Sequence, residues 1–388
     1  MKILHVFFLL FVSFASFGQK FIEGHVLDEK GKPLQSASVA IRGSGIGTIS
    51  NEKGFFFLSV GTEHIADSVT FSMIGYTPAS FPISDIMEDK KFKVKLTEVE
   101  YMLGEIVISK EDGGKIVNDV FKNLSKNYNL NNFNMLCYYT NKHVINGRVV
   151  DFIDAIVDIP DAGFDMKKAQ PVIKSLKVRE TEYKADKGFK NWMDDAGYGF
   201  IYLLLENNYV KTRNSMLDKS SKYQIDSLYK SGDEEIYSIS TYQKPYYLTK
   251  NPKDAKFIAQ LTVTSKEKRI IKIYEEEGVE TADKLSTIQW RKDSGKDVVS
   301  AITYQKMAVE YKEWNGKLYM SQAYNETVVK DFKVSTGEVL FTNTYISTMT
   351  VNEIYLGAKP DESKREKYVS NFWDGYILKR GINSEFFK

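Results

Sequence analysis

The chain has 388 residues, with 53 Lys and Arg against 51 Asp and Glu, for a formal net charge of +2. At 43% hydrophobic and 27% charged residues, it is neither a disordered chain nor a helical membrane protein, and it is long enough to bury more than one sizeable core. The near-zero charge gives no electrostatic reason to expect nucleic acid as a partner, and the single cysteine excludes a disulfide framework.

Residues 1–18 have the pattern of a secretory signal peptide. Lys2 precedes an apolar run that continues to Phe17, and Ser16 and Gly18 stand three and one positions before a cleavage site at Gln19. No cysteine follows this site, so a lipid anchor at the new N-terminus is not expected. The sequence therefore predicts an exported protein that is not N-terminally lipidated.

Residues 19–108 predict a seven-stranded antiparallel β-sandwich. Short alternating runs are separated by turn signals, without a helical period between them. The runs are 21–26, 37–41, 55–60, 68–73, 92–96 and 106–109. We expect Gly54 to supply a positive φ in the turn at 51–54, and Gly47 to allow two strands to approach closely.

Short motifs in this region occur in the order of a known family. They are Gly-His-Val-Leu-Asp at 24–28, Gly-Lys-Pro-Leu at 31–34, Ala-Ser-Val at 37–39, Gly-Thr at 47–48, Asn-Glu-Lys-Gly-Phe at 51–55 and Ile-Gly-Tyr at 74–76. In these motifs the region resembles the carboxypeptidase regulatory-like domain, a transthyretin-like sandwich found beside many exported enzymes and ahead of outer-membrane receptors. The resemblance implies a fold, and a place in the periplasm or on the outer-membrane surface of a Gram-negative cell. It does not imply peptidase activity.

A zinc peptidase site is not predicted. Such a site needs two histidines and a carboxylate, usually beginning with His-x-x-Glu. After the signal peptide the histidines are His25, His64 and His143, and Glu follows none of them at this spacing. Cys137 and His143 lie in one predicted strand about 20 Å apart, which is too far to share a metal. We expect Cys137 to be a small buried residue, with an intermolecular disulfide as the alternative.

Other catalytic signatures are missing from the sequence. It has no Gly-x-Ser-x-Gly motif, and the glycine-rich run at 43–48 lacks the third glycine of a dinucleotide-binding loop. The acidic runs at 194–195 and 275–277 are interpreted as solvated charge, because adjacent carboxylates on one element diverge. We therefore expect no catalytic residue, no cofactor and no metal.

Residues 109–114 predict a flexible polar hinge, and residues 115–388 a larger α+β domain. Apolar residues at helical spacing predict a helix from 116 to about 128. Asn146-Gly147 separates two alternating runs and predicts a hairpin. A strand is expected at 172–178, followed by a long antiparallel meander. Its strands are 235–242, 257–264, 269–275, 299–314, 317–330 and a last strand that begins at 332 or 338 and ends at 354. A meander of long strands must curl, and it can curl over one or two packed helices.

A second helix is predicted between 189 and 204. Its apolar stripe can form the side that lies on the sheet, or it can line a groove. The candidate groove-lining residues are Phe189, Trp192, Met193, Phe200 and Leu204.

The helix end at Asn127-Tyr128, the strand Cys137-Tyr138-Tyr139, the hairpin at 314–319 and the pair Phe372-Trp373 more loosely resemble domains of unknown function that follow the same sandwich in exported envelope proteins. The meander also resembles the curved half-barrel of periplasmic lipoprotein carriers. No binding residue is transferred from either resemblance. We expect a non-catalytic envelope protein in which the sandwich is a docking module and the larger domain binds an envelope protein or a glycan. The alternatives are a carrier or sensor of a lipid-like ligand, with peripheral association with the outer membrane, and an unrecognised enzyme.

Overall fold

The computed structural model describes most of both modules. The described residues are 20–98 apart from 35–36, 43, 45, 51–52, 74–75 and 90–91, and then 111–164, 174–182, 203–205, 208–212, 217, 222–231, 234–242, 255–279 and 297–356. The predicted signal peptide and the predicted strand at 106–109 lie outside this set.

The first module contains seven strands in its described part, arranged as two sheets. The strands are β1 (Lys20–Asp28), β2 (Ser38–Ile41), β3 (Gly47–Ile49), β4 (Phe55–Val60), β5 (Ser68–Ser72), β6 (Ala79–Pro82) and β7 (Lys93–Leu96). The sheet orders are β4-β1-β7 and β3-β2-β5-β6. The predicted sandwich is confirmed. One detail differs, since β7 runs parallel to β1 after the chain has changed sheets through an unpredicted short helix, α1 (Ile83–Glu88).

Aromatic rings fill the space between these two sheets. Phe56 lies 5.1 Å from Phe71, and Phe92 lies 5.8 Å from Phe71 and 5.3 Å from Phe81. Two glycines act as the sequence predicts. Gly54 has φ +72°, and a Cβ atom on Gly47 would lie 2.9 Å from the carbonyl oxygen of Val39. This core shares no residue with the core of the larger domain.

The larger domain begins with two consecutive helices, α2 (Gly113–Lys122) and α3 (Leu124–Asn127). The Oδ1 atom of Asp112 accepts a hydrogen bond from the backbone N–H of Lys115 at 2.8 Å and caps α2. The helix therefore starts inside the predicted hinge at 109–114, because the cap orders its two glycines as a first helical turn. A third described helix, α4 (Tyr209–Thr212), comes later in the chain.

Ten strands of the described chain form a single sheet in this domain. They are β8 (Phe133–Ile145), β9 (Arg148–Asp161), β10 (Lys174–Glu182), β11 (Lys222–Ser231), β12 (Glu234–Tyr242), β13 (Ala255–Thr264), β14 (Ile270–Val279), β15 (Val298–Trp314), β16 (Lys317–Lys333) and β17 (Val339–Leu356). Their order is β10-β9-β8-β17-β16-β15-β14-β13-β12-β11. The predicted meander is confirmed, and the structure adds β11 and the antiparallel pairing of β17 with β8.

The turns and bulges of this sheet follow local chemistry. Asn146 and Asn315 have φ +48° and +50°, and each is followed by a glycine with positive φ, as tight hairpin turns require. Register shifts interrupt several ladders, including two between β15 and β16. Bulges of this kind bend and twist long strands.

One face of the sheet packs against α2 and α3, and we call it the inner face. Its core joins Ile116, Val117 and Val120 of α2 to side chains of the sheet such as Cys137 and Val309. The predicted helix face is therefore confirmed, as is the burial of Cys137. Within the described residues, none of the helices combines the length and apolar content that crossing a bilayer requires.

Candidate ligand site on the inner face

The inner face is apolar where the helices cover it. One row of side chains lies in register across six neighbouring strands, from β8 to β13. Its members are Tyr139, Met349, Ala323, Val309, Ile273 and Leu261. All six belong to the hydrophobic core, so this end of the inner face is filled.

The next two rows of side chains on the same face are mostly polar. Side chains two residues apart in a strand share a face, so these rows also point inward. The first is Asn141, Ser347, Asn325, Met307 and Glu275, and the second is His143, Tyr345, Thr327, Gln305 and Glu277. We call these ten positions the polar belt. A layer of mostly polar side chains therefore continues directly from the packed core, and all of its positions except Glu275 and Gln305 are buried.

Hydrogen bonds connect neighbours within the polar belt. The hydroxyl of Ser347 donates to Oδ1 of Asn141 at 3.0 Å, and Nδ2 of Asn325 donates to Oγ1 of Thr327 at 3.1 Å. All four side chains are buried. Pairing of this kind is what makes burial of polar groups tolerable.

Asn141 is an exception to this pairing. Its side chain is only 1% exposed, and its Nδ2 group finds no acceptor among the described residues. A buried donor without an acceptor costs about 1–3 kcal/mol, and such groups mark places where a water or a ligand belongs. The amide therefore offers two unused donor hydrogens on the inner face.

His143 and Tyr345 form an aromatic pair at the β8 side of the polar belt. Their ring centroids lie 4.4 Å apart at an interplanar angle of 17°, and Nε2 of His143 lies 3.1 Å from Oδ1 of Asn343. Burial, with the Asp331 carboxylate as a smaller cause, raises the pKa of Tyr345 to about 12. The Tyr345 hydroxyl is therefore protonated at neutral pH.

Beyond the polar belt, the inner face ends in an exposed apolar rim. Ile302 pairs with Val329 and continues the face, and it is 37% exposed. Phe341 lies two residues beyond Asn343 on β17 and is 39% exposed. The polar belt thus lies between a filled core and a rim that solvent reaches.

The groove residues predicted from sequence are not part of this site as far as the structure describes them. Leu204 lies in a helical turn at 203–205 and is fully buried in the core. The other four, Phe189, Trp192, Met193 and Phe200, lie outside the described residues, and their role stays a prediction.

The structure corrects the interpretation of the acidic run at 275–277 as solvated charge. Glu277 is 3% exposed and points to the inner face with Glu275, whereas Glu276 lies on the opposite face and accepts a hydrogen bond from the Tyr274 hydroxyl. Reading the run as solvated charge was wrong for Glu277. Because successive side chains of a strand point to opposite faces, the sequence itself could have shown that Glu276 faces away from Glu275 and Glu277.

Metal-binding residue types are dispersed in the described structure. His64 pairs with Asp67 at 2.7 Å, and the His25 ring meets the edge of Phe55. Burial raises the pKa of the Cys137 thiol, and its burial leaves no surface for an intermolecular disulfide. Among the described residues, no three His, Cys, Asp or Glu side chains group as metal ligands would.

Comparison with known proteins identifies the first module. Residues 22–108 match the family model of the CarboxypepD_reg-like domain, which confirms the resemblance seen in the sequence. The TonB-dependent receptor SusC of Bacteroides thetaiotaomicron is 32% identical over 100 residues, which are 26% of this chain and 9% of the receptor. The chain thus spans about a tenth of that relative's length. The two matches together indicate an envelope-associated protein.

Two solved structures were also found by shape. A LolA superfamily protein from Nitrosomonas europaea has a TM-score of 0.22 at 11% identity, over 66% of this chain and 99% of that one. A protein from Bacteroides fragilis, described as membrane-associated and of unknown function, has a TM-score of 0.16 at 9% identity, over 87% and 99%. Scores this low carry no argument about this protein.

Proposed function

We propose that this protein is a non-catalytic, exported envelope protein whose sandwich is a docking module and whose ten-stranded sheet binds an extended partner, an envelope protein or a glycan. The observation that carries the proposal is the polar belt. Hydrogen-bonding side chains on adjacent strands, most of them buried, lie between a packed core and an exposed rim. Sites built on such scaffolds hold their groups in fixed positions.

The location and the docking role are supported by the first module. Its family match covers residues 22–108, and a related segment occurs in a TonB-dependent receptor. We place the protein in the periplasm or on the outer-membrane surface of a Gram-negative cell. Peripheral association with the outer membrane follows from such a docking role.

The contacts of Ser347 and His143 support binding rather than catalysis. A nucleophilic serine needs a base that accepts its proton. The Ser347 hydroxyl instead donates to the amide oxygen of Asn141, which is not basic. The Nε2 atom of His143 faces the amide of Asn343.

The filled apolar end of the inner face counts against a lipid carrier. A carrier needs an apolar cavity large enough for acyl chains. The described end of the inner face next to α2 is instead occupied by its own core side chains, Leu204 among them. The carrier therefore ranks second.

Site-specific photocrosslinking in intact cells tests the proposal. Benzoylphenylalanine replaces Phe341 at the rim, and in a matched control it replaces Tyr229, which is 46% exposed on the edge strand β11. We expect adducts with a protein or a glycan from the Phe341 position only. An adduct with lipid at that position would favour the carrier. Equal adducts at both positions, or none at either, would contradict a site on the inner face.

A further inference from the structure

We infer that the polar belt recognises an uncharged, hydroxyl-rich ligand, a neutral oligosaccharide, and that the Asn141 amide is one of its binding groups. This inference rests on the proposed function and narrows its partner to one chemical class. It starts from the buried Asn141 amide, whose Nδ2 group has no acceptor among the described residues.

The hydrogen-bonding groups of the polar belt match the hydroxyl groups of sugars. A sugar hydroxyl donates one hydrogen bond and accepts others, so it needs donors and acceptors side by side. Amides provide both, and Asn141, Asn325 and Gln305 lie on three different strands of the polar belt. The carboxylates of Glu275 and Glu277 add acceptors at the β14 side.

The charges of the polar belt disfavour an anionic ligand. Its ten positions include two carboxylates and no Lys or Arg. A phosphate or carboxylate head group would find no Lys or Arg among these ten positions to pair with. The polar belt should therefore bind a neutral sugar in preference to the anionic lipids and acidic glycans of an envelope.

Aromatic rings flank the polar groups. The stacked His143 and Tyr345 rings lie within the polar belt, and the exposed Phe341 ring lies at its rim on the same face. Sugars have apolar C–H faces as well as hydroxyl groups, and amphipathic aromatic side chains suit such surfaces. The exposed rim is the side of the polar belt from which a ligand would approach.

Binding to an oligosaccharide array tests the inference on the full mature chain. The array carries short neutral glucans, mannans and galactans, with uronic-acid and sulfated oligosaccharides as charged counterparts. Vesicles containing phosphatidylglycerol form a lipid arm. The strongest neutral binder is then titrated calorimetrically into wild-type protein and variants. We expect binding to neutral probes and none to the acidic probes or the vesicles.

The decisive variant is Asn141→Leu, which is close in size and lacks the amide. Its matched control is Thr140→Val, the next residue of β8, whose side chain lies on the opposite face and hydrogen-bonds Thr348 at 2.7 Å. We expect Asn141→Leu to weaken binding at least tenfold, since a lost hydrogen bond from a buried site costs about this much. Thr140→Val should bind within about twofold of wild type.

A thermal melt separates a binding role from a structural one. Without sugar, Asn141→Leu should melt somewhat below wild type, because the buried Ser347 hydroxyl loses its acceptor. A binding role adds a second result: the neutral sugar should raise the melting temperature of wild type but not that of Asn141→Leu. If Asn141→Leu does not fold, Thr327→Val provides the same test within the polar belt, with weakened binding expected.

Unchanged binding in the Asn141→Leu variant would overturn the inference, as would binding to acidic probes or vesicles alone. If neutral sugars do not bind but crosslinking at Phe341 captures a protein, the inference fails and the proposed function stands. If both experiments are negative, both fail.

Discussion

The hydroxyl group of Tyr128, the residue after α3, makes two hydrogen bonds to the sheet. It donates to the carbonyl oxygen of Ile270 at 2.9 Å and accepts from the N–H of the same residue at 3.0 Å. The ring is fully buried and meets the edge of Tyr311 at 6.0 Å. The residue therefore satisfies two backbone groups at the start of β14.

We expect Tyr128→Phe to destabilise the protein by about 1–3 kcal/mol, because it leaves two buried backbone groups without partners. The measurement is urea denaturation followed by circular dichroism. Tyr319→Phe is the control, since its ring is also buried and its hydroxyl makes no hydrogen bond to another described residue. Equal losses in the two variants would show that hydrogen bonding is not what makes Tyr128 important.

Some residues of the candidate site were readable from the sequence and some were not. Alternation places Asn141 and His143 on one side of their strand, together with Cys137, and the burial of Cys137 was predicted. No local sequence pattern shows that Asn343 and Ser347 of β17 lie on the same face of the sheet as the β8 residues. The reason is that β8 and β17 pair only in the folded sheet. The sequence interpretation placed Glu277 in solvent, because it gave more weight to the charge of the acidic run than to the alternation of side chains along a strand.

At the scale of elements, local signals placed most strands and set their register. The Asn146-Gly147 turn joins β8 to β9 as predicted, and its geometry fixes which side chains face inward. A slip of one residue would move the polar belt to the opposite face. The hinge was predicted from the polar run Glu111-Asp112-Gly113-Gly114. In the structure Asp112 caps a helix that begins at Gly113, since the cap outweighs the low helix propensity of glycine here.

We expect Asp112→Ala to cost about 1 kcal/mol, because the Lys115 N–H loses its cap. Asp112→Asn keeps an acceptor in the same position and should lose a few tenths at most. Chemical denaturation of the three proteins checks this. A loss in the Asn variant as large as that in the Ala variant would point to the charge of Asp112 rather than its capping bond.

At the scale of the whole molecule, the sequence predicted two β-rich modules but not that β17 of the second module pairs with β8. The strands of the meander pair with their chain neighbours, which local patterns can predict. The pairing of β17 with β8 joins the last strand to the first, and no local pattern encodes it.

The pH dependence of stability should reveal the lowered pKa of Lys312, which is partly buried. Lys312 donates to the carbonyl oxygen of Val351 at 3.2 Å, and burial lowers its pKa to about 8. The unfolded chain keeps this proton to about pH 10.4. Between these values the unfolded state binds more protons, so stability rises with pH, by about 2 kcal/mol from pH 7.5 to 9.5.

Denaturation across this pH range, compared with Lys312→Met, isolates the effect. The variant should lack the rise. Above about pH 10 both proteins should lose stability, because burial raises the pKa of Tyr128 and Tyr311 in the folded state and the unfolded state then releases those protons first. A parallel profile in the variant would rule out Lys312 as the source of the rise.

The pairing of β17 with β8 governs when the larger domain can fold. Thr140 and Thr348, which share a hydrogen bond, are 208 residues apart in the chain. The sandwich has its own core and can start to fold as soon as its residues are made, but the large sheet must wait until β17 has been made. A chain that stops short of β17 leaves the edges of β8 and β16 unpaired, and unpaired strand edges are templates for aggregation. Incomplete chains are therefore the aggregation-prone form of this protein.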